Sequence, residues 1–177
     1  RSTWGPDVLR LPRGFAGIIE WPSSAGAGER TLLAASMDGV GTKLHLALAV
    51  GRVADPSADL VYHGANDLLV HGARPLAFLD YIVQGVLEPS TVLAVVEGLS
   101  RACRRVGAAL LGGETAQMPD TYRPGVVDAA GCMIGVVAPD RVLDGARVTA
   151  GDVVLGLASE GLHTNGFSLA RRVLAAS

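Results

Sequence analysis

Lysine is almost absent from this sequence, because Lys43 is the only lysine among fifteen basic residues. Cysteine is scarce too: Cys103 and Cys132 are isolated, without a C-x-x-C or zinc-type spacing, which predicts two reduced thiols with structural roles. No apolar run approaches the ~20 residues that a membrane span needs. The N-terminus lacks the charged-then-apolar pattern of a secretory signal. We therefore expect a cytoplasmic protein with no membrane partner.

Strong charge is missing as well. The formal net charge is -2 and the pI is near 6.1, and no basic run is interleaved with aromatic residues, so we expect no nucleic-acid partner. Apolar residues are abundant, because 49% of the 177 residues are hydrophobic, and such a chain can bury a core of its own. The length predicts one globular domain or slightly more.

Hydrophobic patterning predicts an α/β fold, with a mixed sheet backed by helices. The predicted strands cover residues 31–36, 76–83, 109–113 and 126–138, and the predicted helices cover 42–50, 57–73 and 90–107. In the second helix, Ser57 is the expected N-cap and Val61, Ala65 and Leu68 form the apolar face. Its other face carries residues spaced four apart, namely Asp59, His63 and Asp67.

The last part of the chain predicts a new unit. A turn-rich joint leads into an apolar stretch, 143–159, that is typical of a strand, and a helix is expected over 164–174 with Thr164 or Asn165 as its cap. Because this unit stops after one strand and one helix, we expect one domain over residues 1–143 and the beginning of a second, truncated domain over 144–177. The small polar residues 23–29 predict a loop.

The stretch DGVGTK, Asp38 to Lys43, lies on the turn between the first predicted strand and helix. A lysine is a compact point charge that reaches a phosphate between glycines, whereas arginine prefers flat bidentate partners. Glycines allow backbone N–H groups to approach an anion, and the N-terminus of a helix is positive. A carboxylate beside a phosphate site calls for a cation such as magnesium. The alternative is an ordinary glycine-containing turn that caps a helix.

Three further clusters carry polar residues near predicted element ends. The first, NDLLVHGARP, places Asn66 and Asp67 on a helix that ends near Gly72, and by itself it is better explained as a solvated helix end. The second, GGETAQMP, has paired glycines that expose backbone donors before Glu114 and Thr115, or it forms a simple turn. The third, EGLHTNGFS, contains His163, Asn165 and Gly166 at a helix start, although a lone histidine is more often structural.

These motifs together resemble one family. DGVGTK, ND-x-x-x-x-GA-x-PL-x-FLDY, GGETA-x-MP and GLHTNGFSL-x-R are similar, in order and over almost the whole chain, to the aminoimidazole ribonucleotide synthetases, the phosphoribosylformylglycinamidine cyclo-ligases of purine biosynthesis. Other ATP-using enzymes of the same superfamily share only a looser D-x-x-x-x-GA-x-P pattern. The resemblance implies a PurM-like N-terminal ATP-binding domain whose sheet pairs with its copy in a homodimer to form a closed barrel.

The resemblance also implies an activity with ATP and Mg²⁺ as cofactors. The γ-phosphoryl group of ATP goes to the formamide oxygen of formylglycinamidine ribonucleotide, and the amidine nitrogen then attacks the activated carbon and expels phosphate. Such chemistry depends on positioning and charge neutralisation. The implied roles are metal binding by Asp38 and Asp67, ATP or phosphate binding by Gly39, Val40, Gly41, Thr42, Lys43 and Asn66, substrate binding by Gly112, Gly113, Glu114 and Thr115, and catalysis by Lys43, Asp67, His163 and Asn165.

Three features depart from the family pattern. The glycine-rich loop near the N-terminus is reduced to a trace at Arg13, Gly14 and Phe15, and Gln117 stands where glutamate is usual. The second domain is also short, since a complete enzyme of this pattern is roughly twice as long. Two alternatives therefore accompany the ligase interpretation: a dimerising nucleotide-binding fragment without turnover, and a paralogous synthetase or kinase.

Overall fold

The computed structural model describes residues 2–11, 14–21 and 30–175, so the predicted loop at 23–29 and Arg13 lie outside it. Within these residues the chain forms five β-strands and four α-helices. Their order is β1 (Gly17–Glu20), β2 (Leu32–Gly39), α1 (Lys43–Ala49), α2 (Ala54–Leu69), β3 (Arg74–Gln84), α3 (Pro89–Val106), β4 (Ala109–Gln117), β5 (Val127–Val137) and α4 (Phe167–Ala175).

The five strands form one mixed sheet in the order β1-β2-β5-β3-β4. All neighbouring pairs are antiparallel except β3 and β4, which are parallel and are connected by α3. A parallel pair needs such a crossover, whereas antiparallel strands do not. The predicted mixed sheet backed by helices is therefore confirmed.

One face of the sheet is covered by α2 and α3, and the core lies between these helices and the sheet. Alternate residues of β5 point into this core, which agrees with the two-residue period of a strand. The predicted apolar face of α2 is confirmed, because Val61, Ala65 and Leu68 are all buried. From α3, Val95 and Leu99 complete the same layer.

The opposite face of the sheet is apolar and has no covering element among the residues described. Met37, Cys132 and Leu79 lie in register across β2, β5 and β3 on this side. The exposed fraction is 69% for Met37 and 36% for Leu79. This side of the sheet is called the open face below.

Close packing at the centre of the sheet requires a glycine. A Cβ atom added to Gly131 would lie 2.0 Å from Cζ of Phe78, a fully buried side chain. Any larger residue at position 131 would therefore collide with the Phe78 ring, which lies under α2 and α3. The absence of a side chain at this position leaves room for the Phe78 ring.

Two predicted boundaries near the motifs are wrong. Ser57 is not an N-cap: α2 begins at Ala54 after Val53, and the buried Ser57 hydroxyl donates to the Val53 carbonyl at 2.7 Å. Pro56 in the first turn costs no helical hydrogen bond, which permits the earlier start. The strand predicted over 109–113 continues to Gln117, because β4 keeps pairing with β3 throughout this stretch.

The prediction for the last part of the chain is also wrong in part. Residues 143–159 contain turns but no strand, and α4 begins at Phe167 rather than at Thr164 or Asn165. No described strand lies beside 143–159 to pair with its backbone, although its residues favour a strand. The division into domains at residue 144 stays a prediction.

Candidate functional site

The turn after β2 carries the DGVGTK stretch. Asp38 and Gly39 are still part of the strand, and the Gly39 N–H donates to the Asp38 carboxylate at 2.7 Å. The Val40 N–H donates to the Ala129 carbonyl at 2.8 Å. Gly41 has a φ of 75°, a left-handed conformation that favours glycine. Two of the four predicted phosphate-binding amides are therefore already engaged within the fold.

Lys43 begins α1 and points inward, with only 7% of its side chain exposed. Its Nζ lies 2.7 Å from Oδ2 of Asp59 and donates to the Thr164 carbonyl at 3.1 Å. The other oxygen of Asp59, Oδ1, accepts from the Thr164 hydroxyl at 3.1 Å. The lone lysine is thus held by one residue of α2 and by one residue of the chain beyond the sheet.

Asp38, His63 and Asp67, called the carboxylate group below, lie close together where β2 meets α2. Nε2 of His63 is 3.0 Å from Oδ2 of Asp38 and 3.7 Å from Oδ2 of Asp67. The Ser36 hydroxyl donates to the same oxygen of Asp67 at 2.6 Å. The two predicted metal ligands, Asp38 and Asp67, therefore converge on one imidazole. Among the residues described, no group of three or more His, Cys, Asp or Glu side chains is arranged to hold a metal ion.

A pocket of about 450 Å³ lies between α1, α2 and the start of α4. It contains three of the predicted site residues, Lys43, Asn66 and His163. The remaining lining residues are Ala47, Asp55, Pro56, Asp59, Leu162, Thr164 and Phe167. The pocket therefore combines a cation, two carboxylates and an apolar wall with an aromatic ring.

The other predicted site residues lie outside this pocket. Asp38 and Asp67 belong to the neighbouring carboxylate group, and Asn165 is exposed on the loop before α4. The predicted substrate-binding residues 112–115 lie in the edge strand β4 with their side chains exposed, rather than just beyond a strand end. His163 lines the pocket, and its Nε2 is 2.9 Å from the hydroxyl of Ser159, an exposed residue that does not line it.

One cross-strand row connects β4 with the carboxylate group. Asp38, Gly131, Asp80 and Gly113 are in register across β2, β5, β3 and β4. A Cβ on Gly113 would lie 2.6 Å from Cγ of Asp80, so this glycine makes room for the carboxylate. Burial raises the pKa of Asp80 above its ordinary value. The row adds a half-buried carboxyl group that sequence reasoning did not assign to the site.

Gln117, at the end of β4, has a structural contact. Its side-chain oxygen accepts from the Leu87 N–H at 2.9 Å, just before α3. A glutamate oxygen could accept the same hydrogen bond, so this contact is compatible with either side chain.

Sequence reasoning missed four residues that contact the predicted ones or line the pocket with them. They are Asp59, Thr164, Phe167 and Ser168. For Asp59 a signal existed, because it is spaced four residues from His63 on the polar face of the helix. For Thr164 and Ser168 no local pattern indicates their contacts, since the partners are more than a hundred residues apart in the chain. For Phe167 no local pattern indicates that it lines the pocket of Lys43.

The two cysteines are free, as predicted. Burial, with a contribution from the charge of Asp80, raises the pKa of the Cys103 thiol to about 11, so it stays protonated near neutral pH. In the part of the chain that the structure covers, none of the helices has the length and apolarity needed to cross a membrane.

Curated relatives agree with the resemblance found in the motifs. A phosphoribosylformylglycinamidine cyclo-ligase of Thermosynechococcus vestitus is 51% identical over 174 residues, which cover 98% of this chain and 50% of that protein. Its counterpart in Sorangium cellulosum is 50% identical over 169 residues, covering 96% of this chain and 48% of that protein. The chain thus spans about half the length of the curated relatives that it matches.

Solved structures share the fold. Protein tt0281 of Thermus thermophilus matches 73% of this chain and 38% of its own, with a TM-score of 0.54 and 27% identity. T. maritima PurL in complex with ATP matches 78% of this chain and 22% of its own, with a TM-score of 0.57; at 19% identity this likeness concerns the fold alone. Residues 16–137, more than half of the chain, match a family model. The chain therefore belongs to the family described as AIR synthase related protein, N-terminal domain.

Proposed function

We propose that this chain supplies the ATP-binding side of an enzyme that closes the ring of formylglycinamidine ribonucleotide to give aminoimidazole ribonucleotide. The observation that carries the proposal is the pocket that Lys43, Asn66 and His163 line together beside the carboxylate group. Two comparisons support it: the curated relatives are named cyclo-ligases, and a protein of the same fold is complexed with ATP.

In the proposed reaction the phosphoryl group passes from ATP to the formamide oxygen, and the amidine nitrogen displaces phosphate from that carbon. No covalent intermediate with the protein is needed, so the chain contributes position and charge. Lys43 offers an ammonium group with three N–H donors, of which two have acceptors in the fold. The third donor is available to a phosphate oxygen. The amides of Gly41 and Thr42, just before α1, would add further N–H donors.

The carboxylate group fits magnesium in its chemistry. Magnesium takes one or two carboxylates and completes its shell with water and phosphate oxygens, so it does not need three protein ligands. Oδ2 of Asp38 and Oδ2 of Asp67 approach the same nitrogen of His63, so both oxygens point to one region. Asp38 and Asp67 would hold the ion, which would offset the negative charge of the phosphates. The His63 imidazole would then either move away from the two carboxylates or stay beside the ion.

The substrate side of the proposed site draws on two parts of the chain. His163 lines the pocket, and Asn165 follows it on the loop before α4. Gly112, Gly113, Glu114 and Thr115 lie across the sheet in β4, and Gly113 shares a row with Asp38. At ~4.8 Å per strand, three strand spacings separate these two residues by roughly 14 Å, a distance that an extended nucleotide substrate can span.

The proposal includes a cytoplasmic homodimer that pairs two open faces. Met37, Cys132 and Leu79 form an apolar row there, and large exposed apolar patches are typical of protein interfaces. Closing two sheets into a barrel also protects their edges. A domain boundary at residue 144 belongs to the same proposal. Light scattering at micromolar concentration should give the mass of a dimer, and a monomeric mass would contradict this part.

Calorimetric titration with ATP and magnesium tests the phosphate side of the site. Lys43→Arg should weaken ATP binding by about tenfold or more, because a planar guanidinium cannot occupy the buried position between Asp59 and the Thr164 carbonyl. Arg105→Lys, on the exposed side of α3, is the matched control and should bind ATP as the wild type does. Equal affinity for wild type and Lys43→Arg would contradict the proposal.

A further inference from the structure

Asp59 contacts two residues that are far apart in the chain. Its Oδ2 is 2.7 Å from Nζ of Lys43, and its Oδ1 accepts from the Thr164 hydroxyl at 3.1 Å. The Thr164 carbonyl also accepts from Nζ at 3.1 Å, so the three residues form a closed set of contacts. Asp59 and the Thr164 carbonyl thus hold the ammonium group from two sides, and the second oxygen of Asp59 holds Thr164.

The burial of Lys43 makes this set of contacts consequential. Its side chain is 7% exposed, whereas that of Asp59 is 33% exposed. Burying an ammonium group is costly unless it is paired and hydrogen-bonded. Within the part of the chain that the structure covers, the acceptors of Nζ are Asp59 and the Thr164 carbonyl. The location of the charge therefore depends on both of them.

A second contact reinforces the connection between α1 and the loop before α4. The Thr42 and Ser168 hydroxyl oxygens are 2.9 Å apart, and Thr42 immediately precedes Lys43. Leu162, His163 and Phe167 line the same pocket as Lys43. Residues 162–168, called the docking segment below, therefore cover the start of α1 by two hydrogen-bonded contacts and an apolar wall.

We infer that Asp59 is a positioning residue, which sets the place of the Lys43 ammonium and makes that place depend on the seating of the docking segment. Thr164 carries the dependence, because its hydroxyl holds the carboxylate and its carbonyl holds the ammonium. When the docking segment is seated, Nζ keeps one N–H donor for a ligand in the pocket. When it is displaced, the ammonium loses an acceptor and turns toward solvent. The effect of Asp59 on ATP binding is the only part of this inference that rests on the proposed function.

The single lysine allows this inference to be tested on the 177-residue chain without interference. N-hydroxysuccinimide acetate modifies amines, and mass spectrometry of peptides separates Lys43 from the N-terminal amine. Asp59→Asn and Thr164→Val should each raise the rate of Lys43 acetylation roughly threefold to tenfold, because a net hydrogen bond of this kind is worth a factor in that range. Thr164→Ser keeps the hydroxyl and should react at the wild-type rate.

Glu20→Gln is the matched control for loss of an ion-paired carboxylate. Glu20 pairs with Arg30 at 2.6 Å and lies beside Leu32, at the end of β2 opposite to Lys43. Glu20→Gln should leave the rate of Lys43 acetylation unchanged. Thr164→Val keeps the test valid if Asp59→Asn fails to fold, because Thr164 lies in a loop outside the core cluster. Lysine labelled with ¹³C gives a second readout, in which the Lys43 signal should shift in Thr164→Val and stay in place in Thr164→Ser.

Two results would overturn the inference. One is a wild-type acetylation rate in folded Thr164→Val, and the other is an equal increase in Thr164→Val and Thr164→Ser, which would indicate that packing and not the hydroxyl matters. Titration with ATP and magnesium separates the two proposals. If the wild type binds no ATP while the acetylation rates differ as expected, the proposed function fails and the positioning role of Asp59 stands. If the wild type binds ATP and Asp59→Asn changes neither rate nor affinity, the positioning role fails alone.

Discussion

The packed unit up to Val137 and the segment after Asp144 differ in surroundings more than in composition. Both contain runs of Val, Leu and Ala. In the packed unit Leu99 is fully buried, whereas Leu157 in the later segment is 99% exposed. Strand-forming residues need a neighbouring strand and a covering layer before they stabilise a fold. The comparison shows that the same apolar pattern has opposite outcomes according to what lies beside it.

The two regions meet through hydrogen bonds and an apolar wall formed by Leu162 and Phe167. The hydroxyl pair of Thr42 and Ser168 and the contacts of Thr164 join them, while Leu169, Val173 and Leu174 of α4 remain exposed. Curated relatives are about twice as long as the chain. Hydrogen bonds at a partly exposed contact are individually weak, so each of these contacts contributes little to the seating of α4.

The largest expected effect is on the free energy of unfolding, and it differs between the two regions because they differ in burial. Leu99→Ala should lower the free energy of unfolding by about 2–5 kcal/mol, because it leaves a cavity between α3 and the sheet. Leu157→Ala, the matched change in the exposed segment, should alter it by about 0.5 kcal/mol or less. Urea denaturation monitored by circular dichroism measures both. Equal losses would mean that residues 144–166 are packed as tightly as the core.

A second pair of variants adds a methyl group instead of removing atoms. Gly131→Ala should destabilise the chain by about 1–3 kcal/mol, because its Cβ would meet the Phe78 ring. Gly156→Ala places a Cβ where no atom lies within 4 Å, and should change the stability by less than about 1 kcal/mol in either direction. Thermal unfolding compares the two. A neutral Gly131→Ala would show that the Phe78 ring can move away.

A smaller effect concerns charge in the two regions. Burial raises the pKa of Asp80 above its ordinary 3.8, so the folded state favours the neutral carboxyl. The associated stability is present below pH 3.8 and is lost as the pH rises through the higher folded pKa. Asp80→Asn should therefore gain stability relative to wild type as the pH rises from acid to neutral.

The matched control for this charge effect is Asp152→Asn, in the exposed segment. It removes a carboxylate outside the packed sheet, so the same measurement on this variant shows how much of any trend is independent of the surroundings of Asp80. Melting temperatures measured between pH 3 and pH 8 would reveal the trend. Asp80→Asn should also lower the pKa of Cys103 below about 11, because the charge of Asp80 contributes to that value. A constant difference between wild type and Asp80→Asn at all pH values would contradict the assignment to burial.

Local patterns predicted the packed unit well. The alternation of β5 and the apolar face of α2 depend on residues close in sequence, so the mixed sheet and its helices could be predicted and were confirmed. The length of β4 could not be predicted, because it depends on pairing with β3. The prediction of a strand within 143–159 is wrong, because no described strand lies beside this stretch to pair with it.

The candidate site was predicted in part. Motif residues Lys43, Asn66 and His163 line one pocket as a group, although their roles stay predictions. The contacts of Lys43 could not be predicted, because Asp59 and Thr164 reach it through the fold. Spacing along a helix indicates which side chains share a face. It does not indicate which distant loop covers that face.

The position of β5 in the sheet has a consequence for biosynthesis. β5 is the last described strand to leave the ribosome, yet it lies in the centre, between β2 and β3. Until it emerges, a nascent chain can form only the β1–β2 pair and the β3–α3–β4 unit, with no strand to connect them. Pairings between distant residues close slowly and leave apolar surface exposed while they do. We expect nascent chains to depend on chaperones until Val137 is free of the exit tunnel, and the sheet to form in one step after that point.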